Sequence, residues 1–435
     1  MDLRKFRVGT LNVNTLRGRL CEVVETLSRR KIDVCCLQET RYRGGNCRLV
    51  KGKDTRYKIY LSGNDKGTAG VGVCVAEQWI EKVFEVQRVS DRIILVKLIV
   101  GQHVVTFLSV YAPQCGLSDG VKDQCFDQLR AVTARIPASD LLIPCGDWNG
   151  HVGRAGTGYS EVHGGMGFGR PDPDVAGERI LEYALAYDLI LGNTWFRKRE
   201  SHLITYKSGK AATQIDFIMY RRSMRRMVQD VKVIPGEEVA LQHQLLVCDM
   251  KIAEPGIEKR KFSPRLRVWK LKDPSVSDRF QEIFNSHVSA SPGGTNTEDI
   301  WAVLKTSLLK TTEEVCGKTR PHLWRRETWW WSEDVEKAVS AKRQAFKEWK
   351  RGKGTKSAYH AAKRTARRVV HRARHAADKE IYDNIDSKSS QVYRLANQMR
   401  RENVDVAGEK PVRNDTGEMA LSEDSKQKAW QEHYE

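Results

Sequence analysis

A chain of 435 residues, 40% of them apolar, has core enough for one large domain with an appendage or for two or three domains. With 74 Lys and Arg against 55 Asp and Glu, its formal net charge of +19 favours a polyanionic partner and says nothing about fold. No run of about 18 apolar residues occurs, so a membrane-spanning helix is not expected. The Cys/His spacing of a zinc site is also absent.

Met1-Asp2-Leu3-Arg4-Lys5-Phe6 has no apolar targeting segment, and the ten irregularly spaced cysteines read as core thiols of a reducing compartment. A nuclear or cytoplasmic protein is therefore expected, not a secreted one. Phe6–Leu11 predicts a first strand that ends in Asn12-Val13-Asn14-Thr15. Residues 18–31 carry apolar side chains at helical spacing, and Ile32–Leu37 predicts a second strand ending in Gln38-Glu39-Thr40. Residues 57–61, 71–76, 83–88, 93–99 and 103–110 predict a meander, the last strand running into Tyr111-Ala112-Pro113. A helix is expected over 121–136. Next comes Leu141-Leu142-Ile143-Pro144-Cys145-Gly146-Asp147-Trp148-Asn149, an apolar run that stops at a glycine and delivers a carboxylate and a carboxamide. Gly-rich 150–170 predicts a long loop and 177–188 an amphipathic helix. Strands follow at 189–193, 203–207, 213–219 and 244–250, the last directly after Gln242-His243.

Composition changes near Pro255. Lys plus Arg outnumber Asp plus Glu by 37 to 29 before that point and by 37 to 26 after it. The excess is densest in 337–379, at 15 to 2, where two helices joined by Arg351-Gly352-Lys353-Gly354-Thr355 are predicted. In the second helix Tyr359, Ala362, Ala366, Val369, Ala373, Ala377, Ile381 and Ile385 form one apolar stripe. Lys363, Arg364, Arg367, Arg368, Arg372 and Arg374 occupy the other faces and are the candidate nucleic-acid contacts. A charged helical face is as readily a solvated one, and Trp329-Trp330-Trp331 ahead of it reads as packing before base stacking.

Asn12, Asn14, Glu39, Tyr111, Asp147, Asn149, Asp216 and His243 each end or follow an apolar strand, where open α/β sheets place their ligands. In extended backbone Asp147 and Asn149 would share one side. Singly, each residue has an ordinary structural explanation: Glu39 a helix cap, Tyr111 a core aromatic, Asp216 a buried carboxylate, His243 a rim histidine. Jointly they supply what phosphodiester hydrolysis needs: a carboxylate for a divalent ion, another to activate water, donors around phosphoryl oxygens, and an oriented histidine. The oxygen ligands Glu39 and Asn12 suit Mg²⁺.

Leu11-Asn12-Val13, Leu37-Gln38-Glu39-Thr40, Tyr111-Ala112-Pro113, Gly146-Asp147-Trp148-Asn149, Gln214-Ile215-Asp216-Phe217 and Gln242-His243 resemble the ordered motifs of the endonuclease/exonuclease/phosphatase superfamily. They are most similar to the apurinic-endonuclease-like domains of RTE-type LINE (non-LTR) retrotransposons. Gly164–Gly169, Ser201–Tyr206 and Val233–Glu237 resemble the craniofacial development protein 2 family, which derives from such elements. The resemblance implies a DNase I-like four-layer α/β sandwich, two packed β-sheets with outer helices, followed by a basic helical segment. It places Glu39 as metal carboxylate with Asn12 beside it and Asp147 on the attacking water. Asn149 and Tyr111 would then contact the phosphate, and Asp216 would orient His243. Asn14 and Gln242 stand where the apurinic enzymes carry aspartates; the RTE-type relatives share the Gln-His pair.

The expected organisation is a catalytic domain over 1–252, a connector with short helices over 253–330, a basic helical hairpin over 331–400, and a polar tail over 401–435. No aromatic-x-Asp-Asp polymerase signature appears, and the tail ends about where a reverse transcriptase would begin. The leading expectation is a Mg²⁺-dependent endonuclease (Mn²⁺ substituting) that nicks duplex DNA to leave a 3′-hydroxyl. RNA is a second polyanion for the basic helices, and no membrane partner is expected. The alternatives are a phosphatase or phosphodiesterase of the same superfamily, and a domesticated nucleic-acid or chromatin-binding protein with weak catalysis.

Overall fold

The computed structural model describes residues 2–52, 55–209, 211–237, 239–254, 266, 268–272, 274–289, 297–318, 332–383, 397, 404–406, 412–413, 419–420 and 423–434. The Trp329–Trp331 triplet, Ile385 and the basic run Lys259-Arg260-Lys261 lie outside them.

Two mixed sheets carry the first part of the chain. One has seven strands: β1 (Asp2–Asn12), β2 (Val34–Gln38), β3 (Gly45–Lys51), β4 (Arg56–Ser62), β5 (Val71–Ala76), β14 (Val228–Ile234) and β15 (Leu245–Glu254), in the order β14-β15-β1-β2-β5-β4-β3. The other has β6 (Val83–Arg88), β7 (Ile93–Val100), β8 (His103–Tyr111), β9 (Leu141–Asp147), β10 (Leu189–Leu191) and β13 (Asp216–Arg221), in the order β10-β13-β9-β8-β7-β6. A small hairpin, β11 (Tyr206–Ser208) and β12 (Ala211–Thr213), stands apart from both.

Why the second sheet reads as continuous apolar sequence follows from its two covered faces. In β7, Ile94 and Val96 belong to the core shared with Phe6, Val8 and Cys36 of the first sheet, while Ile93 and Leu95 join Leu108 and Val110 on the opposite side. That far side is closed by α3 (Asp119–Ala134) and α4 (Val175–Ala186) through Phe126, Leu129, Ile180 and Tyr183. The first sheet carries α1 (Leu20–Arg29), which buries Val23, Val24 and Leu27; the short α2 (Glu77–Ile80) follows β5. The result is helix, sheet, sheet, helix: the four-layer sandwich expected. A buried polar bridge runs between the sheets at their strand ends. Gln38 Nε2 donates to Ser109 Oγ (3.1 Å), which donates to the Leu37 carbonyl (3.0 Å), so a buried carboxamide is satisfied and the two sheets are pinned where their strands end.

In the seven-stranded sheet two strands lay outside the sequence expectation, β3 and β14, and both are its edge strands. With one face open, each alternates polar and apolar residues (Gly45, Asn46 and Arg48 exposed or nearly so in β3, Gln229 exposed in β14), so neither shows the apolar run of a central strand. The strand predicted over 203–207 is corrected: Leu203 and Ile204 follow a 3₁₀ turn at Glu200–His202, and pairing begins only at Tyr206. Their apolar character reflects burial, not a strand.

Past residue 256 the described residues fall into two compact units. One, within 257–326, holds α5 (Pro274–Ser289) and α6 (Thr297–Cys316), helices of 16 and 20 residues where short ones were expected. The other, 327–435, is part of the same unit as the sandwich. It contains the predicted hairpin, α7 (Glu333–Lys350) and α8 (Lys356–Asp383), then the pair β16 (Val412–Arg413) and β17 (Met419–Ala420), and α9 (Glu423–Tyr434). The apolar stripe of α8 turns inward, with Tyr359, Ala366 and Ala377 buried. Ion pairs anchor the hairpin to α1: Lys342 to Glu22 at 2.7 Å and Arg343 to Glu25 at 3.3 Å.

Candidate active site

The strand-end residues meet in one place because the sheet register brings them there. Asp147, the last residue of β9, is paired with Tyr111 of β8 on one side and with Asp216 of β13 on the other. Gly146 makes this possible: a Cβ there would collide with the Val110 carbonyl, so only glycine lets β8 and β9 close up beside Asp147. Asn12 ends β1 in the facing sheet and reaches across, its Nδ2 donating to Asp147 Oδ2 at 2.9 Å. His243 sits just before β15, bridged to Tyr206 in backbone pairing, with the two rings 4.8 Å apart.

Asp216 holds His243 by accepting from Nδ1 at 3.0 and 3.2 Å, which leaves Nε2 3.7 Å from Asp147 Oδ2. Asp216 is itself fixed by backbone: its N–H and that of Ile215 donate to Thr205 Oγ1, and its carbonyl accepts from Asn193 Nδ2 at 2.8 Å. Burial would lower the imidazole pKa, but the Asp216 charge and hydrogen bond, followed by Asp147, lift it to about 9. Burial and then the Asp216 charge push Asp147 up to about 7, against the pull of His243 and Asn12. The site thus pairs a protonated imidazole with a carboxylate poised to exchange a proton near neutrality, the separation of roles expected of an acid–base pair. Burial, then Glu39 and Asp147, raise the Tyr111 phenol to about 12, so it stays a hydrogen-bond donor.

A cleft of about 520 Å³ opens over these groups, with Asn12, Glu39, Asp147, Asn149 and His243 in its wall. Tyr111 and Asp216 stand behind that wall. Of the six described non-glycine residues with left-handed backbone, four line the cleft, Asn14, Glu39, Arg41 and Asn149 (φ 60°, 53°, 51° and 49°); Lys31 and Asp188 lie elsewhere. Such strain persists where surrounding structure enforces it. It also corrects one expectation. Asn149 does not share a side with Asp147 through extended backbone; a left-handed turn returns it to the cleft, where its N–H donates to Asp147 Oδ1 and its Nδ2 to the Ala112 carbonyl.

For a divalent cation, Glu39 offers a carboxylate whose Oε1 accepts from Arg41 at 2.5 and 3.2 Å, while Oε2 has no hydrogen bond among the described residues. Asn12 Oδ1 accepts from the Asn14 N–H, which leaves one lone pair. Both are hard oxygen donors, so the set fits a cation of the Mg²⁺ or Mn²⁺ type. Asp147, Asp216 and His243 also bring ligand atoms within 4.8 Å of one another, but His243 Nδ1 is already held by Asp216.

Three participants escaped the sequence reading. Arg41 is the internal cation on Glu39, signalled only by lying two residues beyond it. Tyr206 is the ring against His243, and Thr205 the hydroxyl under Asp216. Gln242 turns away from the imidazole and donates to Tyr206 Oη and Ser208 Oγ, both at 3.3 Å. Of the candidate basic contacts, Arg367, Arg368 and Arg374 face α1 across a second cavity, Arg364 and Arg372 are exposed outside its lining, and Lys363 is half-buried near Tyr359.

His163 anchors the glycine-rich loop beside the site. Its Nδ1 accepts from the Gly165 N–H (3.0 Å) and its Nε2 lies 3.2 Å from the Gly153 carbonyl, so the neutral ring is the one that fits; side chains at Gly156 or Gly167 would crowd it. Burial drops its pKa to about 4. A histidine that titrates lower in the fold than in the unfolded chain gives full stability above pH ~6.5 and loses it as the pH falls toward 4, by roughly 3 kcal/mol at most. Thermal melts between pH 7 and 4 should show that loss in the wild type and a shallower one in His163→Gln.

The chain matches no model of a known protein family. It is 27% identical over 252 residues to craniofacial development protein 2 of Bos taurus, covering 57% of this chain and 41% of that protein. The chain therefore spans about two-fifths of the length of the curated relatives it matches. Among solved structures it is similar to the AP endonuclease LMAP from Leishmania major, with 15% identity, TM-score 0.44, and 57% of this chain and 89% of that one covered. It is also similar to the endonuclease domain of TRAS1, a telomere-specific non-LTR retrotransposon, at 15% identity and TM-score 0.40 over 57% of this chain and 98% of the other. In sequence, then, the chain resembles craniofacial development protein 2, and the described residues of 2–254 fold as a four-layer α/β sandwich of two mixed sheets.

Proposed function

We propose that the protein is a divalent-metal-dependent phosphodiester hydrolase that nicks duplex DNA and leaves a 3′-hydroxyl, in a chain derived from a non-LTR retrotransposon. The observation that carries this reading is the convergence of Glu39, Asp147 and the Asp216–His243 pair on one cleft from four separate strand ends. Glu39 and Asn12 would hold Mg²⁺, which supplies Lewis-acid stabilisation of charge on a phosphate oxygen when bound. Asp147, lifted toward neutrality, accepts the proton of an attacking water. Protonated His243, fixed by Asp216, presents Nε2–H to a non-bridging oxygen, and Asn149 adds a donor at the phosphate with Tyr111 supporting the wall behind it. These donors are set in buried positions before substrate arrives, which is where electrostatic stabilisation counts most. The net positive charge favours DNA over a small phosphorylated metabolite.

A supercoiled plasmid incubated with the full chain and Mg²⁺ or Mn²⁺ is expected to relax to the open circle, to stay supercoiled in EDTA, and to be resealed by DNA ligase, which requires a 3′-hydroxyl. A plasmid that stays supercoiled with both metals, or open circles that ligase cannot reseal, would refute the reading.

A further inference from the structure

The two loops that build the metal side of the cleft do not stop there. Asn14, Glu39 and Arg41 line the cleft; Leu16-Arg17-Gly18 and Tyr42, the residues that come next in each loop, line a second cavity of about 870 Å³. Its opposite wall is the helical hairpin, which contributes Val339, Arg367 and Arg368. A substrate strand leaving the cleft on that side would enter it directly.

The charge inside this cavity is one-sided. Glu22 and Glu25 also line it, but they are committed to Lys342 and Arg343. Arg17, Arg48, Arg367 and Arg368 form no ion pair among the described residues, and Asp378 is the one acid left to oppose them. Arg367 and Arg368 come from the hairpin, Arg17 and Arg48 from the sandwich, so positive charge lies on both walls. Gly18, with left-handed backbone, leaves room for the Arg367 guanidinium against the chain; a Cβ would displace it. Between the arginines the surface is apolar and aromatic: Leu16, Leu20, Val339 and Val370, with Arg48 lying over the Tyr42 ring at 5.0 Å. Cations on both sides of an apolar, aromatic floor suit a strand whose bases are exposed. A duplex shows only phosphates outside its grooves, whereas a single strand offers phosphates to the arginines and base faces to the floor.

We infer that this groove takes a single-stranded arm of the DNA that occupies the cleft, so that the preferred substrate is a duplex with an unpaired segment next to the scissile site. The inference rests on the nuclease reading for the duplex part alone; binding in the groove needs no hydrolysis.

The test is fluorescence anisotropy of the full chain in EDTA, comparing a blunt hairpin duplex with the same duplex bearing an unpaired thymidine arm of about a dozen nucleotides. The arm is expected to tighten binding at least ~10-fold. The double change Arg367→Glu/Arg368→Glu should remove most of that gain, and lower the salt dependence by about 0.7 in log K per log salt for each phosphate left without its arginine. Arg48→Glu, on the sandwich wall, should do the same without touching the hairpin, so a folding defect in one variant leaves the other to decide. An arm that adds nothing, a gain that survives both changes, or a loss that falls equally on the blunt duplex would each overturn the inference. A retained arm preference in a protein that nicks no plasmid would leave the groove standing and remove the nuclease reading.

Discussion

Asp147→Asn is expected to cut plasmid nicking by ~10²–10⁴-fold, the range for losing a positioned general base. The change is nearly isosteric, and Asn12 can still hydrogen-bond the new carboxamide, so the fold should hold and the loss should appear in kcat with little effect on DNA affinity in EDTA. Asp147 is one acidic partner of His243, and Asp216 is the other. Removing Asp147 therefore also lowers the proton affinity of the imidazole, although Asp216 alone still holds it well. His243→Ala should cost a similar factor, and the double variant should lose less than the product of the two, because residues acting as a unit are not additive. Near-wild-type rates in both single variants would mean that the cleft hydrolyses nothing by this route.

Glu39→Ala should act through the metal instead. Removing the half-buried carboxylate leaves Asn12 as a lone neutral donor, and the Mg²⁺ concentration for half-maximal nicking should rise at least ~10-fold, the scale seen when a site loses support for its metal. Isothermal titration of Mn²⁺ into the free protein reads the same loss without any turnover. Arg41 makes the measurement sharper. Its guanidinium sits on Glu39 Oε1, so a divalent ion competes with an internal cation, and Arg41→Ala should move Mn²⁺ affinity upward. Unchanged Mn²⁺ binding in Glu39→Ala would place the cation elsewhere, at the Asp147–Asp216–His243 group.

Much of this was legible in the residues alone. Apolar runs ending in Asn12, Glu39, Tyr111 and Asp147 announced buried strands with polar tips, since a strand covered on both faces has no other place to put a reactive group. What stayed hidden has a common cause: it depends on partners distant in sequence. The edge strands β3 and β14 look like loops because one of their faces meets water. The turn geometry of Asn149 depends on the Ala112 carbonyl, which no local pattern announces. Tyr206 matters through the His243 ring and Thr205 through the Ile215 and Asp216 N–H groups, all farther along the chain; Arg41 alone acts locally, on Glu39 two residues before it. The arginines of α8 read equally as nucleic-acid contacts or as a solvated face; only the docking of the hairpin on α1 separates those that line the groove from Arg364 and Arg372, which do not.

That docking has a practical side. Lys342 is buried against Glu22, its side chain 2% exposed, so the hairpin belongs to the catalytic body much as a lid belongs to its box. A protein trimmed after its fifteenth strand would keep every reactive group yet strip α1 of its cover, baring Leu20 and Cys21 and leaving Glu22 without Lys342 and Glu25 without Arg343. Boundaries drawn from the recognisable sandwich alone would then yield a stickier, more acidic-faced molecule, and any weakness in its DNA binding would belong to the cut, not to the enzyme.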